Sequence, residues 1–179
     1  MNLGFNLRTD EPVGNTMRVD ALADQFLQIN HIEHALANPE LCETWLADTE
    51  TLVVGGGSNI LFVTERIGKV VAIIAAEHGF VDEGETVLAF AEAGLGLDDW
   101  VRLTAAQGWY GLERLAEIPG TVGAAPIQNV GAYGMQLSDV LESVEVWDRR
   151  EQVRLRWTAE QCHLSYRNSR FKSEPNRWL

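Results

Sequence analysis

Two glycine-rich segments contain the residues of this sequence that are best suited to binding a phosphate group. The first reads Gly-Gly-Gly-Ser-Asn at 55–59 and directly follows the short apolar run 51–54. Glycines allow a ligand to approach the backbone closely, and successive N–H groups can converge on phosphate oxygens. Ser58 and Asn59 add side-chain donors. Because the segment matches neither a P-loop nor a GxGxxG that opens a helix, a purely structural turn is an equally good interpretation.

The second segment, 118–134, reads IPGTVGAAPIQNVGAYG and contains no charged residue. Long irregular loops are uncommon inside compact domains and are usually functional. The small side chains would admit a large flat ligand, whose polar groups could bind Gln128, Asn129 and the backbone N–H groups. The alternative is a buried, close-packed connection between strands. Two such segments in one chain favour a dinucleotide over a simple phosphate.

The charge balance limits the kinds of partner. The 179 residues carry 14 Lys and Arg against 26 Asp and Glu, so the net charge is 14 − 26 = −12. This excess of negative charge disfavours binding to nucleic acids and to anionic membranes. No apolar run approaches the roughly 18 residues of a membrane span, and the N-terminus lacks the apolar stretch of a signal peptide. We therefore expect a soluble cytoplasmic protein with no nucleic-acid or membrane partner.

The cysteines and histidines predict neither a disulfide framework nor a metal site. Cys42 and Cys162 lie far apart and form no CxxC pair. The histidines form no HExxH pattern, and we expect them to be solvated or core residues; they are His31, His34, His78 and His163.

The apolar pattern before residue 77 predicts a strand–helix–strand unit that ends at the first glycine segment. Asn30 is expected to cap the helix, and Pro39 is expected to interrupt it before it restarts. The expected elements are an extended lead-in and strand within 18–29, helices at 32–36 and 41–46, and strands at 51–54 and 69–75.

The remaining residues predict a helix flanked by strands and hairpins. Helix 97–107 would bury one face and end at Gly108 in a left-handed conformation. Thr158 and Gln161 resemble a capping box for a short final turn. The other expected elements are a linker or hairpin at 78–85, a strand at 86–93, and a hairpin of 143–147 with 153–157.

In order and spacing, three segments resemble those of the UDP-N-acetylenolpyruvoylglucosamine reductase family. They are the two glycine segments and the later Ser-Tyr-Arg-Asn-Ser-Arg-Phe-Lys at 165–172. The segment 5–9 also lies where this family has a short N-terminal motif. The resemblance implies an α+β fold, a two-subdomain FAD-binding domain of the vanillyl-alcohol-oxidase type. Residues 1–76 would form the first subdomain and 77–179 an incomplete second one.

The resemblance also implies which residues hold FAD. Binding would be noncovalent, which fits the absence of histidine from both glycine segments. Some family members have serines where this chain has Ala124 and Ala125, so backbone N–H groups would replace hydroxyl contacts there. The implied FAD-binding residues are Gly55, Gly56, Gly57, Ser58, Asn59, Pro119, Gly120, Thr121, Gly123, Ala124, Ala125, Gln128, Asn129 and Gly131.

The implied reaction is a hydride transfer from NADPH through FAD to the enolpyruvyl double bond of a small-molecule UDP-amino sugar. Arg167 matches the catalytic arginine of the family, whose charge would stabilise the enolate formed from the substrate carboxylate. Tyr133 matches a substrate-contacting tyrosine, and Tyr166 would lie beside the flavin and the nicotinamide. Taken without the surrounding motif, Tyr166 and Arg167 would instead indicate a surface cation packed on an aromatic ring.

The family continues beyond the position that corresponds to Leu179. Its further part completes the flavin domain and adds a substrate-binding domain with a proton-donating serine and a late glutamate, so this chain is expected to be truncated and to lack that domain. Three hypotheses follow. The chain is the FAD-binding part of the reductase, a non-catalytic FAD- or nucleotide-binding module, or an acidic structural domain whose glycine segments are only turns.

Overall fold

A computed structural model describes residues 4–179 of the protein. The first half contains a four-stranded sheet whose strand order is β1-β2-β4-β3. Its strands are β1 (Phe5–Pro12), β2 (Leu22–Ile29), β3 (Leu52–Val54) and β4 (Arg66–Ile73). Three short helical turns connect β2 to β3, namely α1 (Ile32–Leu36), α2 (Pro39–Leu41) and a π-helical turn at Cys42–Leu46.

The predicted strand–helix–strand unit is present, with one additional strand between its two strands. Both β2 and β3 pair in parallel with β4, which therefore occupies the centre of the parallel part. Val70 and Val71 of β4 are fully buried and point into separate apolar clusters on the two faces of the sheet. A strand that is buried on both faces has a nearly continuous apolar sequence, and this pattern predicts the strand at 69–75.

Two local predictions in this half were wrong or incomplete. Phe5–Pro12 is an edge strand antiparallel to β2. Its residues are largely exposed and polar, so no apolar pattern predicts it. Asn30 does not cap the first helix, whose N-cap residue is His31. A side-chain cap is found instead on α2, where Asn38 accepts a hydrogen bond of 3.0 Å from the backbone N–H of Leu41.

The second half consists of hairpins and one amphipathic helix. The segment predicted as a linker or hairpin is a hairpin, because β5 (His78–Asp82) pairs antiparallel with β6 (Val87–Ala91). Helix α3 (Leu97–Ala106) buries the predicted face, and Gly108 follows its end at a φ of 78°. The other elements are β7 (Gly131–Ala132), β8 (Met135–Gln136), β9 (Ser143–Asp148), β10 (Val153–Thr158), α4 (Arg170–Ser173) and 3-10 turns at Glu113–Leu115, Val122–Ala124, Pro126–Gln128 and Leu137–Asp139.

Hydrogen bonds confirm the predicted hairpin and the capping box. Strands β9 and β10 pair antiparallel from Ser143 opposite Thr158 to Asp148 opposite Val153. The backbone N–H of Thr158 donates to Gln161 Oε1 at 2.9 Å, and the N–H of Gln161 donates to Thr158 Oγ1 at 3.4 Å. No helix within residues 4–179 is long and apolar enough to cross a membrane.

A buried arginine attaches the β9–β10 hairpin to the first half of the chain. Arg149 is 2% exposed and donates to the carbonyl oxygens of Leu46 at 2.9 Å and Thr51 at 3.2 Å, and also to that of Asp48. Burial lowers the pKa of its guanidinium, because the charged form loses solvation. The carbonyl dipoles offset part of that cost and hold the hairpin beside β3.

Candidate functional site

The two glycine segments lie against each other, although about sixty residues separate them in the chain. Ser58 Oγ donates to the carbonyl oxygen of Pro119 at 3.1 Å, and Asn59 Nδ2 donates to Gln128 Oε1 at 3.4 Å. At Gly55, an added Cβ would lie 2.7 Å from Thr121 Oγ1. A side chain at Gly55 would therefore separate the two segments, so the contact requires glycine at this position.

Gly57 has a separate requirement for glycine. Its φ is 63°, and an added Cβ would lie 2.3 Å from the carbonyl oxygen of Gly14. The backbone N–H of Thr16 donates to the carbonyl of Gly57 at 3.2 Å. The segment between β1 and β2 therefore packs against the first glycine segment at Gly57.

A cavity of about 220 Å³ opens between the two segments. Its walls include the whole of 55–59 together with eight residues of the second segment between Pro119 and Val130. Of the lining residues in the described part of the chain, Lys172 is the one that carries a charge, and none is acidic. In a chain of net charge −12, a cavity without carboxylates is suited to an anionic ligand.

A larger cavity of about 560 Å³ adjoins the first and lies between β3 and the β9–β10 hairpin. Aliphatic and aromatic residues form most of its wall, including Trp147 and Trp178. The two cavities share six lining residues, which mark their junction: Val53, Gly55, Thr121, Ala124, Ile127 and Lys172. The volume of the larger cavity falls in the range of about 300–1,000 Å³ that is usual for small-molecule and cofactor sites.

Asn129, predicted as a cofactor contact, directs its side chain into the protein. It is 1% exposed, and the two N–H groups of Nδ2 face three acceptors, Gln136 Oε1, Ser138 Oγ and the carbonyl of Ser165, each at 3.1 Å. Its Oδ1 accepts from the N–H of Ser138 at 3.0 Å. The side chain is therefore committed to internal contacts, and the backbone N–H also donates within the chain, to the carbonyl oxygen of Pro126 at 3.1 Å.

The segment that carries Arg167 is attached to the second glycine segment at three points. Ser169 Oγ donates to the carbonyl of Ile127 at 2.5 Å, and Arg167 Nη2 donates to the carbonyl of Gly131 at 3.3 Å. The third contact is that of Asn129 with Ser165. Movement of the second glycine segment would consequently move the turn that holds Arg167.

The three residues predicted to meet the substrate lie on turns. Tyr133 and Gly134, with φ values of 51° and 79°, form the two-residue turn between β7 and β8, as expected of a type I′ hairpin. Arg167 has a φ of 54° in the turn closed by reciprocal backbone hydrogen bonds of Ser165 and Asn168. Tyr133 is 84% exposed and Tyr166 is 83% exposed, so residues 4–179 do not enclose these side chains.

The structure therefore divides the predicted residues into two groups. Five of them line neither cavity in the described part of the chain: Asn129, Gly131, Tyr133, Tyr166 and Arg167. The remainder line one or both cavities: Gly55, Gly56, Gly57, Ser58, Asn59, Pro119, Gly120, Thr121, Gly123, Ala124, Ala125 and Gln128. Lys172 lines both cavities and was not predicted, although it is the last residue of the segment 165–172 that carried the resemblance.

Within residues 4–179, no group of three or more histidine, cysteine or acidic side chains is placed to hold a metal ion. Cys42 and Cys162 are both buried and unpaired. Burial raises the pKa of each thiol, because the thiolate would lose its solvation.

Comparison with known proteins defines the class. The profile of the FAD binding domain family matches residues 42–155, which is more than half of the chain, and the chain belongs to this family. Its curated relatives include UDP-N-acetylenolpyruvoylglucosamine reductases. The protein of Xylella fastidiosa (strain M12) is 40% identical over 169 residues, covering 92% of this chain and 47% of the relative. That of Xanthomonas oryzae pv. oryzae (strain PXO99A) is 41% identical over 191 residues, covering 99% and 51%. The chain thus spans about half the length of the curated relatives it matches.

Solved structures confirm the predicted fold class. UDP-N-acetylenolpyruvylglucosamine reductase (MurB) from Thermus caldophilus superposes with a TM-score of 0.69 at 25% identity, covering 92% of this chain and 57% of that one. A solvent-stable cholesterol oxidase shares the fold alone, with a TM-score of 0.56 at 12% identity, covering 86% and 33%. The resemblance to the reductase family and the α+β FAD-binding fold of the vanillyl-alcohol-oxidase type are therefore both confirmed.

Proposed function

We propose that this chain is the FAD-binding part of a reductase of peptidoglycan precursor synthesis. The reaction is the reduction of the enolpyruvyl group of UDP-N-acetylglucosamine enolpyruvate to UDP-N-acetylmuramate, with NADPH as hydride donor. The observation that carries the proposal is the meeting of the two glycine segments, with the Arg167 turn attached to the second of them. The names of the relatives supply the substrate class.

The residues present fit a dinucleotide bound without a covalent bond. Glycine is required at Gly55 by the close approach of the segments, and the cavity between them is free of carboxylates among its described lining residues. No histidine of residues 4–179 lines either cavity, which is consistent with noncovalent binding. We propose that the backbone of 55–59 and of 119–121 holds the diphosphate, because the N–H groups of 122–125 already donate to carbonyl oxygens of the chain. We propose also that the adjoining apolar cavity holds a ring system.

The proposed division of labour follows from this placement. A bound flavin supplies the hydride chemistry, whereas the protein supplies orientation and electrostatics. Arg167 presents a planar, positively charged fork of donors that is suited to a carboxylate. It would bind the carboxylate of the substrate and stabilise the negative charge that develops there as hydride adds to the double bond. Tyr133 and Tyr166 would contact the substrate from the two neighbouring turns.

A non-catalytic FAD- or nucleotide-binding module is the second candidate. It is favoured by the exposure of Tyr133 and Tyr166, because catalysis requires groups that are held in place and shielded from water. Membership in the FAD binding domain family favours both candidates over an acidic structural domain. The division into subdomains 1–76 and 77–179, the choice of NADPH and the cytoplasmic location remain predictions.

The absorption spectrum of the purified 179-residue chain tests the proposal. We expect oxidised-flavin bands, either as purified or after addition of FAD, and release of intact FAD on denaturation. A folded chain that stays colourless and binds no added FAD would contradict it. A form of the protein that spans the full length of the curated relatives separates the two candidates: when NADPH and then the enolpyruvyl substrate are added without oxygen, only the reductase bleaches the flavin and then restores its colour.

A further inference from the structure

Lys172 occupies the junction of the two cavities. It is an exposed residue of α4, and it is among the six residues that line both the cavity between the glycine segments and the larger apolar cavity. Its Nζ donates to the carbonyl oxygen of Arg167 at 3.0 Å. This hydrogen bond directs the ammonium group toward the turn that holds Arg167, which precedes α4 in the chain.

The positive charge of Lys172 is not neutralised by a carboxylate in the described part of the chain. No ion pair within 4.0 Å involves Lys172 among residues 4–179, whereas the chain's other lysine, Lys69, pairs with Asp48 at 2.9 Å. The two arginines that line the larger cavity have their charges paired or bound to backbone oxygens. Arg154 pairs with Glu33 and Glu145, and Arg149 is bound to backbone carbonyls.

We propose that Lys172 binds the diphosphate group of the dinucleotide, an inference that rests on the proposed FAD site. A lysine ammonium has three N–H donors. One is used on the Arg167 carbonyl, so two remain for phosphate oxygens. Backbone N–H groups contribute only partial charges, and Lys172 supplies the full charge that the cavity otherwise lacks among its described residues. The same ammonium then links the anion to the turn of Arg167.

The affinity of the flavin-free chain for FAD tests this assignment. FAD itself is the probe, and binding is followed through the change in flavin fluorescence. Because a hydrogen bond to a charged group is worth about 1.5–3 kcal/mol, we expect Lys172→Gln to raise the Kd for FAD about tenfold or more at low salt. Lys172→Arg keeps the charge and is expected to stay within about threefold of the wild type.

Arg156→Gln is the matched control, since it removes one positive charge from an exposed residue that lines neither cavity in the described chain. It is expected to change the Kd less than about twofold. The Kd of the wild type should rise with ionic strength, and that of Lys172→Gln should rise less steeply. Far-UV circular dichroism and the melting temperature establish that each variant is folded.

Each outcome decides the matter. Weaker binding by Lys172→Gln alone, with a reduced dependence on salt, supports the inference. It is overturned if Lys172→Gln binds FAD as tightly as the wild type, or if wild-type binding is insensitive to salt, a measurement that needs no variant. Weaker binding with unchanged salt dependence and a lowered melting temperature would also overturn it, because Lys172 would then act through folding. A wild-type chain that binds no FAD instead refutes the proposed function, and this inference with it.

Discussion

Asn129 Nδ2 donates a hydrogen bond of 3.1 Å to the carbonyl oxygen of Ser165, 36 residues further along the chain. Asn129 belongs to the second glycine segment, and Ser165 begins the turn that presents Arg167. The proposed cofactor segment and the proposed catalytic arginine are therefore parts of one hydrogen-bonded unit.

Replacing Asn129 should destabilise the protein strongly. Asn129→Ala leaves the N–H of Ser138 without its acceptor and removes one of the two donors to the carbonyl of Ser165, so we expect a loss of about 1–3 kcal/mol in the free energy of unfolding. Urea denaturation measures it. Asn129→Gly separates hydrogen bonding from backbone strain, because glycine accepts the φ of 44°. A glycine variant as stable as the wild type would mean that the hydrogen bonds contribute little.

Arg167→Ala should separate the two half-reactions. In a form of the protein that turns over substrate, we expect reduction of the substrate to slow about a hundredfold or more, because the developing charge loses its guanidinium. Flavin reduction by NADPH and FAD affinity should change little, since Arg167 lines neither cavity of the described chain. Stopped-flow absorbance at the flavin band measures both steps. Equal slowing of the two would refute the assigned role.

Gly55→Ala should push the glycine segments apart. The new methyl group would lie 2.7 Å from Thr121 Oγ1, and overpacking of this kind costs about 1–3 kcal/mol. We expect a lower melting temperature and weaker FAD binding. Gly68→Ala is the matched control, because an added Cβ on that β4 glycine meets nothing within 4 Å.

A double variant identifies the contact responsible. Removing the Thr121 hydroxyl in Gly55→Ala/Thr121→Ala should restore part of the lost stability, with a coupling energy of about 0.5 kcal/mol or more. If the effects of the two substitutions are strictly additive, the Thr121 hydroxyl is not the group that clashes with the added methyl group.

The ion pair of Asp148 and Arg177 should make stability depend on pH at the acid end. Asp148 is buried, which opposes its charge, yet hydrogen bonds from Arg177 at 2.7 and 3.1 Å and from two backbone N–H groups lower its pKa. The stabilisation is complete above the pKa of an unfolded aspartate, about 3.9, and is lost as the pH falls through the lower folded pKa. Asp148→Asn should cost about 2 kcal/mol at neutral pH and flatten this acid dependence.

Asp98→Asn is the comparison for that experiment. The pKa of Asp98 is also lowered, by the backbone N–H of Glu117 and by Arg102, but its side chain is 32% exposed, against 2% for that of Asp148. Solvent screening should make its contribution much smaller. Unfolding by urea between pH 3 and pH 7, measured for both variants, would contradict the assignment if Asp98→Asn removed as much of the acid dependence as Asp148→Asn.

Local patterns in the sequence predicted the elements that have a regular apolar repeat or a recognisable polar capping pair. The buried face of α3, the β9–β10 hairpin and the reciprocal hydrogen bonds of Thr158 and Gln161 are all present. The edge strand Phe5–Pro12 escaped because its residues are mostly polar and its pairing with β2 is visible only in the sheet. Asn30 has the right residue type for a cap, but α1 begins one residue later, with His31 at its N-cap, and the side-chain cap belongs to Asn38 at the start of α2.

The sequence by itself determined that two glycine-rich segments and the 165–172 segment exist, and their order carries the resemblance to the reductase family. Only the tertiary structure decided how they meet. Contacts such as Ser58 with Pro119 join residues 61 positions apart, and no local periodicity encodes them. The buried role of Asn129 and the position of Lys172 have the same origin. Residue type specifies which bonds a side chain can make, whereas the packing of distant segments specifies which of those bonds it does make.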